Sequence, residues 1–336
     1  VMSFLATPQA FGLADGPVEQ IDTHISAIFL AGARAYKLKR AVRFPYLDFS
    51  TLDKRRRACE AEVTVNRRTA PSLYLDAVPV TRDARGKLAL KGDGDAVDWV
   101  VVMNRFDQDH LFDSLALTDG LNDRLLEDTA EAIARFHRDA TAQAGYGGAA
   151  ATAVIVENNA RCFAESAADY FDAGVVARLN DESRRWAKGF ADLLDKRRDC
   201  GLVRHCHGDL HLRNLVLLDG RPTLFDAIEF SDDLAHIDVL YDLAFLLMDL
   251  DHRGLRGFGN IVLNRYLDIT GDDAGLAAMP LFLSMRAAIR AHVSAAAQED
   301  TSVGRDYMNL ALGYLDPPPP RLIAVGGLSG TGRSLL

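Results

Sequence analysis

The chain contains 336 residues, of which 49% are hydrophobic and 25% are charged, and its mean hydropathy is −0.03. These values are typical of a globular protein with two domains or one large bilobed domain, and they disfavour disordered, collagen-like and membrane proteins. Its 38 basic and 47 acidic side chains give a formal net charge of −9, which disfavours a protein that binds nucleic acid over a broad surface.

The sequence also indicates where the protein works. Its four cysteines include no CxxC pair, so a reducing cytosol is the simplest location. The first residues lack the basic and apolar regions of a secretory signal. The longest apolar stretch, residues 239–250, is too short to span a bilayer and carries Asp242 and Asp249. We therefore expect a cytoplasmic protein that binds neither membrane nor nucleic acid.

The first hundred residues predict a small β-sheet. Residues 25–30 (ISAIFL) and 35–40 (AYKLKR) are strand-like, and the alternation of the second segment places Lys37 and Lys39 on one face. Two further strand-like segments, joined by a charged loop that contains glycine, lie at residues 73–80 and 97–103.

One helix is predicted between the second and third of these strands. Ser50, Thr51 or Asp53 can cap its N-terminus. Its inward stripe begins at Cys59 and continues at helical spacing through Glu62. The Glu62 carboxylate is thereby placed on the face that turns toward the sheet.

After Phe106 the pattern changes from strands to helices. Residues 121–140 keep an apolar stripe, with acidic residues early and basic residues late, as the helix dipole favours. Residues 160–198 are also predicted to be helical. A polar loop and a hairpin interrupt at residues 203–230, and helices resume at about residue 236 and continue to about residue 314.

The most informative segment is HGDLHLRNLVLLDGRPTLFDAIEF, residues 207–230. Asp209 and Asn214 lie five residues apart in a loop, and Asp226 follows a short hairpin. Phosphoryl transfer from ATP needs a carboxylate that orients the acceptor hydroxyl and takes its proton. It also needs two oxygen ligands for Mg²⁺ and a lysine that neutralises phosphate charge.

The residue types of this chain fit those roles. Asp209 fits the catalytic carboxylate, and Asn214 and Asp226 fit the two metal ligands. Lys37 on its strand fits the lysine, and Glu62 on the next helix can pair with it and fix its ammonium group.

With these motifs the chain resembles the aminoglycoside phosphotransferase and choline kinase family, whose fold is that of protein kinases. HGDLHLRN matches the HGDxxxxN catalytic loop of that family, and FDAIEF stands where its metal-binding Asp follows. The resemblance covers about residues 19–315. It implies an α+β, bilobed fold with a small antiparallel N-lobe sheet, one key helix and a larger, mainly helical C-lobe. We expect the N-lobe at residues 1–105 and the C-lobe at residues 106–316, with ATP and Mg²⁺ as cofactors between them.

Some assignments leave alternatives open. Lys39 is a rival to Lys37, and Glu60 is a rival to Glu62. The glycine-rich phosphate loop of the kinase fold is absent. In its place we expect backbone and hydroxyl groups of Thr23 and Ser26 to cover the phosphates, and Met103, in the predicted hinge, to flank adenine. Asp242 resembles the buried Asp that holds the catalytic loop in kinase folds.

Two side-chain clusters around the loop have competing interpretations. The first consists of His205, Cys206, His207 and His211. These residues could ligate zinc, but their spacing fits no structural zinc pattern, and His207 is better explained as a residue that orders the loop. The second consists of Glu229, Asp232, Asp233 and Asp238, which could line a site for a cationic substrate or form a solvated loop.

The end of the chain carries a different motif. Residues 317–320 are four prolines and form the best linker candidate. GLSGTGRS, residues 327–334, follows a strand-like stretch and matches the P-loop pattern GxxxxGK[ST], except that Arg333 replaces lysine. The arrangement resembles bacterial proteins in which a phosphotransferase-like domain precedes a P-loop kinase or ATPase domain. We therefore interpret residues 317–336 as a linker and the start of such a domain, which would extend beyond residue 336.

The combined prediction is an ATP-dependent phosphotransferase that moves the γ-phosphoryl group of Mg-ATP to a hydroxyl of a small molecule. Aminoglycoside-, sugar- and amino-alcohol-like acceptors all remain open. The alternative is a nucleotide-sensing regulatory module that controls the P-loop domain. A protein kinase is disfavoured, because little chain separates FDAIEF from the following helix and no APE-type segment follows.

Overall fold

The computed structural model of the chain describes residues 1–319, apart from residues 45, 167, 169 and 297–300. A curled antiparallel sheet, the N-lobe, precedes a larger and mainly helical C-lobe. This arrangement confirms the α+β, bilobed, protein-kinase-like fold predicted from the sequence. Among the described helices, none is both long enough and apolar enough to cross a lipid bilayer.

In its described residues the N-lobe contains one long helix and eight strands, of which six form a single sheet. In chain order its elements are α1 (Met2–Leu5), β1 (Val18–Asp22), β2 (Ser26–Ala31), β3 (Arg34–Lys39), β4 (Arg43–Phe44), β5 (Leu47–Asp48), α2 (Leu52–Asn66), β6 (Tyr74–Arg82), β7 (Leu88–Leu90) and β8 (Asp95–Asn104).

The six-stranded sheet has the order β1-β2-β3-β8-β6-β7, and all neighbouring strands are antiparallel. Strand β3 is interior, so Lys37 lies opposite Ile28 on one side and Val101 on the other. Helix α2 begins after Thr51, whose hydroxyl accepts a hydrogen bond from the Lys54 amide. The sequence analysis included Thr51 among the possible caps, and its prediction of this helix is confirmed.

The C-lobe consists mainly of helices that surround a short polar loop. Its elements are α3 (Phe112–Leu117), α4 (Asp123–Asp139), α5 (Gly148–Ser166), α6 (Ala173–Gly189), α7 (Ala191–Asp199), β9 (Val203–His205), β10 (Leu215–Leu218), β11 (Arg221–Leu224), α8 (Asp232–Ala235), β12 (His236–Asp238), α9 (Val239–His252), α10 (Arg256–Thr270), α11 (Met279–Ala296) and α12 (Thr301–Leu315).

Helix α9 forms the centre of the C-lobe. Every residue from Val239 to Leu250 is buried, including Asp242 and Asp249. The apolar stretch of the sequence is therefore a core helix that packs against α10 and α11. Its two buried acidic side chains, Asp242 and Asp249, need internal partners.

The hairpin that precedes Asp226 is also as predicted. Strands β10 and β11 pair from Leu215–Leu224 to Leu218–Arg221. The two residues of the turn, Asp219 and Gly220, have φ angles of 49° and 72°. Left-handed conformations at both positions give the two-residue turn that favours Asp-Gly.

Two helix boundaries differ from the sequence prediction. The first helix of the region predicted at residues 160–198 begins earlier, at Gly148, because an alanine-rich segment with high helix propensity precedes residue 160. Helices resume fully only at Val239, because His236–Asp238 pair with β9 as a short strand. The P-loop-like GLSGTGRS sequence with Arg333 lies outside the described residues.

Candidate functional site

A continuous row of ion pairs joins strand β3, helix α2 and the segment after β11. Lys37 Nζ lies 2.5 Å from Asp226 Oδ1 and 2.9 Å from Glu62 Oε1. Glu62 Oε2 lies 2.5 Å from Lys39 Nζ, which in turn lies 2.5 Å from Glu229 Oε1. The structure thus brings together Lys37, Glu62 and Asp226, and it adds Lys39 and Glu229 to them.

The geometry distinguishes the rival residues. Glu60 is exposed and its carboxylate lies 3.7 Å from Arg56 on the outer face of α2, whereas Glu62 is fully buried among the ion pairs. Both lysines contact Glu62. Of the two, Lys37 also contacts the Asp226 carboxylate, which is 40% exposed, while the Lys39 side chain is only 1% exposed.

The charges in this row depend on their partners. Burial would raise the pKa of Glu62, but Lys37 and Lys39 outweigh that effect and lower it to about 2. Glu229 has a single lysine partner, and burial raises its pKa. Burial would lower the pKa of Lys37, but Asp226 and Glu62 raise it well above the usual value. Lys37 and Glu62 are therefore both charged at neutral pH.

The loop between β9 and β10 carries Asp209 and Asn214 side by side. Asn214 Nδ2 donates hydrogen bonds to the main-chain oxygen of Asp209, at 2.8 Å, and to its Oδ2, at 3.0 Å. His211 Nε2 lies 3.4 Å from the same carboxylate oxygen. Burial would raise the pKa of Asp209, but the nearby His211 imidazole holds it well below its usual range. Asp209 is therefore a carboxylate at neutral pH.

Two buried carboxylates of α9 hold this loop in place. Asp242 accepts hydrogen bonds from the amides of His207, at 3.0 Å, and Gly208, at 2.8 Å. His137 Nε2 lies 3.0 Å from Asp242 Oδ2. Asp249, two turns further along α9, accepts a third amide of the loop at 3.0 Å. These bonds confirm the supporting role of Asp242 that the sequence predicts.

The loop also depends on a glycine. Gly208 has a φ of 83°, and a Cβ at this position would lie 2.8 Å from the main-chain oxygen of Leu234 and 3.0 Å from the Ile228 side chain. Both the left-handed backbone and the lack of space exclude a larger residue. The middle residue of HGD is therefore required by sterics.

His207 links this loop to the segment that carries Asp226. Its Nε2 lies 2.8 Å from the main-chain oxygen of Phe225, and its Nδ1 accepts a hydrogen bond from the Asp209 amide at 3.3 Å. A ring that donates through Nε2 and accepts through Nδ1 is neutral, in agreement with a pKa of His207 that burial lowers. The buried His207 ring therefore joins the loop that carries Asp209 to the segment that carries Asp226.

Two residues that the sequence analysis gave no role fix the backbone at Asp226. This residue has a φ of 59°, which is unusual for a residue other than glycine. Its amide donates to the Tyr74 hydroxyl at 3.0 Å, and the amide of Ala227 donates to Asn66 Oδ1 at 2.8 Å. Asn66 lies one turn after Glu62 on the same face of α2. This spacing in the sequence was the signal that could have placed Asn66 beside the site. The sequence offered no such signal for Tyr74.

The predicted nucleotide-covering residues lie in two different places. Thr23 and Ser26 close the turn between β1 and β2: the Thr23 amide donates to the Ser26 oxygen, and the Ser26 amide donates to Thr23 Oγ1, both at 2.9 Å. The Ser26 hydroxyl is buried and has no hydrogen-bond partner among the described residues. Met103, near the end of β8, is buried with Phe225 in the core beneath the sheet.

The site contains oxygen donors of the kind that Mg²⁺ prefers. Asn214 uses its Nδ2 for Asp209, so its amide oxygen is the atom left to coordinate a cation. The Asp226 carboxylate is 40% exposed and its counter-ion, Lys37, has a flexible stem. Asn214 and Asp226 therefore offer oxygen ligands of the kind that suit a magnesium ion.

The acidic group after Asp226 does not form one surface. Glu229 belongs to the row of ion pairs, and Asp238 is held by Arg197 at 2.7 and 2.8 Å. Asp232 and Asp233 are exposed on α8. Two of these four carboxylates are therefore exposed, and the other two are paired with internal cations.

The histidine and cysteine cluster has internal partners instead of a shared centre. Cys206 Sγ donates to the Ile237 oxygen at 3.4 Å, and burial raises the pKa of this thiol well above its usual value. Cys206, His137 and Asp242 come within 4.8 Å of one another. However, a protonated thiol is a poor metal ligand, and His137 is already held by Asp242 and Tyr266.

Comparison with known proteins places this site in a family. Residues 34–281 match a family model described as "Phosphotransferase enzyme family". The chain belongs to that family. It is also 30% identical over 340 residues to an uncharacterized protein of Mycobacterium tuberculosis (strain ATCC 25618 / H37Rv) and to one of Mycobacterium bovis (strain ATCC BAA-935 / AF2122/97). Both matches cover 98% of this chain, which spans 66% of the length of these relatives.

Solved structures share the fold at low sequence identity. Choline kinase from Cryptosporidium parvum Iowa II has a TM-score of 0.56 and 12% identity, covering 94% of each chain. A thermostable mutant of aminoglycoside phosphotransferase APH(4)-Ia, in a ternary complex with AMP-PNP and hygromycin B, has a TM-score of 0.54 and 14% identity. The match covers 94% of this phosphotransferase and 97% of that one. The predicted resemblance to aminoglycoside phosphotransferases and choline kinases is therefore confirmed.

Proposed function

We propose that this phosphotransferase moves the γ-phosphoryl group of Mg-ATP to a hydroxyl group of a small molecule. The observation that supports this proposal is the joint placement of two groups of residues. Lys37, Glu62 and Asp226 are in direct contact, and Asp209 and Asn214 lie on a loop that His207 bonds to the Asp226 segment. Family membership and neighbours that bind AMP-PNP and hygromycin B, or ADP and hygromycin B, add support.

In this proposal the residues of the site have distinct tasks. Asn214 and Asp226 would hold Mg²⁺, which would neutralise the charge that develops on the phosphates. Lys37 turns from Asp226 to the α- and β-phosphates and keeps Glu62 as its partner. The turn with Thr23 and Ser26 covers the phosphates from above, and Met103 flanks the adenine.

Asp209 is the proposed catalytic residue. Its carboxylate is charged at neutral pH and partly exposed, so it can orient an acceptor hydroxyl and accept its proton as the oxygen attacks the γ-phosphorus. The oxygen–phosphorus bond to the acceptor forms while the bond to ADP breaks. Asn214 Nδ2 fixes the carboxylate during this step, since it holds Oδ2. Catalysis then rests mainly on positioning and charge neutralisation.

The test is ADP release from Mg-ATP across a panel of hydroxylated acceptors that includes aminoglycosides, sugars and amino alcohols. We expect one class to stimulate release by the wild type. Asp209→Ala should bind Mg-ADP as the wild type does but lose transfer by about 10²–10⁴-fold. Asp268→Ala, which removes an exposed carboxylate on α10, outside the site, is the matched control and should keep full transfer.

Two results would contradict the proposal. Equal loss of nucleotide binding and transfer in Asp209→Ala would assign Asp209 a structural role. A panel without any stimulation, despite firm Mg-ATP binding, would favour the nucleotide-sensing regulatory module instead. In that case the chemistry would belong to a further domain, such as the P-loop domain that the sequence predicts.

A further inference from the structure

The second lysine of strand β3 has no task in the proposed reaction. Lys39 lies on the same face as Lys37, and its side chain is almost fully buried between two carboxylates. Its Nζ lies 2.5 Å from Glu62 Oε2 and 2.5 Å from Glu229 Oε1. We call Lys39 and Glu229 the inner pair.

Burial makes the inner pair costly. Two charges removed from water lose several kcal/mol of hydration each, and an apolar pair of similar volume is often as stable or more stable. The row would still hold Glu62 through Lys37 if the inner pair were apolar. The fold alone therefore does not require an ion pair at this place.

The geometry shows what the inner pair adds. Each oxygen of Glu62 is taken by a different lysine: Oε1 by Lys37 and Oε2 by Lys39. A carboxylate held at both oxygens cannot rotate about its last bond. Glu229, three residues after Asp226, is held by the same Lys39, so the inner pair also fastens the metal-binding segment to strand β3.

We propose that Lys39 and Glu229 are positioning residues that orient Glu62, and through it Lys37, toward the phosphates of the bound nucleotide. This inference rests on the proposed function, because it assumes that Lys37 meets those phosphates. If Asp226 binds Mg²⁺, Lys37 would lose one of its two carboxylate partners among the described residues. Glu62 would then be the carboxylate that orients its ammonium group, and Lys39 would hold Glu62 in place.

The test variants are chosen by charge. The row contains three carboxylates and two lysines, so Lys39→Met alone leaves an additional buried carboxylate without a partner and is expected to destabilise the fold. The double variant Lys39→Met/Glu229→Gln removes one charge of each sign and leaves the net charge of the row unchanged. It therefore carries the test.

The readout separates phosphate recognition from general damage. Dissociation constants for Mg-ADP and for adenosine are measured by calorimetry on the wild type and on the double variant, with thermal unfolding as a check on folding. We expect the affinity for Mg-ADP to fall by about 10-fold, the scale of one charge-assisted hydrogen bond, while the affinity for adenosine stays unchanged. Lys37→Met serves as the reference for complete loss of the phosphate contact.

A combined variant sharpens the conclusion. If the inner pair acts through Lys37, adding Lys39→Met/Glu229→Gln to Lys37→Met should weaken Mg-ADP binding no further. Glu62→Gln is included in both of these variants, because Glu62 would otherwise be a buried carboxylate without a lysine. The control is Lys54→Met/Asp48→Asn, which removes an exposed ion pair of 2.5 Å beside α2 and should leave both affinities unchanged.

Three outcomes would overturn the inference. They are unchanged Mg-ADP affinity in the folded double variant, a parallel loss of adenosine affinity, and full additivity with Lys37→Met. A wild-type chain that binds adenosine but gains nothing from phosphates and Mg²⁺ would instead refute the proposed function. The two failures are therefore distinguishable.

Discussion

The two halves of the site hold their buried carboxylates in different ways. In the C-lobe, Asp242 and Asp249 accept hydrogen bonds from backbone amides of the loop that carries Asp209. Where the two lobes meet, Glu62 of α2 and Glu229 of the segment after β11 are held by lysine ammonium groups of β3. Amides are part of the main chain and cannot leave, whereas an ammonium group on a four-carbon stem can exchange one partner for another.

This difference matches the different demands of phosphoryl transfer. The residue that meets the acceptor must stay in one place, and a main-chain scaffold achieves this. In the proposed reaction the residue that meets the phosphates would first hold a counter-ion and then release it, as we propose for Lys37 and Asp226. We call the amide-held part of the site the rigid half and the lysine-held part the exchangeable half. Substitutions that break each kind of contact test this difference.

The largest effect is expected where the rigid half is broken. Asp242→Asn replaces one carboxylate oxygen with an NH₂ group that faces a backbone N–H, so it should lower the free energy of unfolding by about 3 kcal/mol. Urea denaturation measures this loss. Asp268→Asn, on the exposed face of α10, is the control and should stay within about 0.5 kcal/mol of the wild type. A loss below about 1 kcal/mol at Asp242 would contradict the scaffold role.

Breaking the support of Asp226 should cost less. Tyr74→Phe removes the hydroxyl that accepts the Asp226 amide, and the unsatisfied buried amide should lower the free energy of unfolding by about 1–2 kcal/mol. The expected companion effect is weaker binding of Mg²⁺ with nucleotide, measured by titration. In Tyr36→Phe, which keeps the ring contact with Phe11 on the other face of β3, neither quantity should change.

The change in the free energy of unfolding between pH 7 and pH 5 tests a buried histidine of the C-lobe that lies outside the proposed site. Burial lowers the pKa of His292 to about 4, below the value of about 6.5 in an unfolded chain. The unfolded state takes up this proton first, so the stability is present above pH 6.5 and is lost as the pH falls toward 4. We expect a loss of about 1 kcal/mol between pH 7 and pH 5 from this histidine.

The check is the same pH comparison on His292→Gln, which should show a smaller acid loss than the wild type. Glu62 and Asp209 do not contribute in this interval, because their lysine and histidine neighbours hold both pKa values low. If the variant loses as much stability between pH 7 and pH 5 as the wild type, the loss comes from another group. One such group is His205, whose pKa burial also lowers to about 4.

The smallest effect is expected on the outer face of α2. Arg57 pairs with Asp53 at 2.8 Å, but both side chains are more than half exposed. Water and salt screen such a pair, so Arg57→Ala should change the free energy of unfolding by no more than about 0.5 kcal/mol. A larger loss, measured by the same urea titration, would show that α2 depends on its surface charges as well as on its buried ones.

The sequence predicted the elements of this fold well where a single pattern decided the outcome. Alternation placed Lys37 and Lys39 on one face of a strand, and helical spacing turned Glu62 inward; the structure confirms both placements. The Asp-Gly dipeptide between two strand-like segments was sufficient to predict the β10–β11 hairpin. In each case local geometry and burial favour the same answer.

Contacts between distant segments were beyond such patterns. Glu229 was interpreted as part of an acidic group, because nothing near it in sequence indicates a lysine partner on β3. Tyr74 was one more strand residue, since its bond to the Asp226 amide depends on how the two lobes meet. The predicted pairing of Lys37 with Glu62 is present, but Lys39, which the sequence offered only as an alternative, pairs with Glu62 as well.

Gly208 has a consequence for how such loops can vary. Its neighbours leave no room for even one methyl group, and its amide is one of the bonds that anchor the loop. Any substitution of Gly208 therefore shifts the loop that carries Asp209, although it removes no functional side chain. The middle residue of HGD is fixed by space and backbone conformation, whereas His207 orders the loop and Asp209 is proposed for the chemistry. A search for chains that have lost catalysis but kept this architecture should expect the glycine to outlast the aspartate.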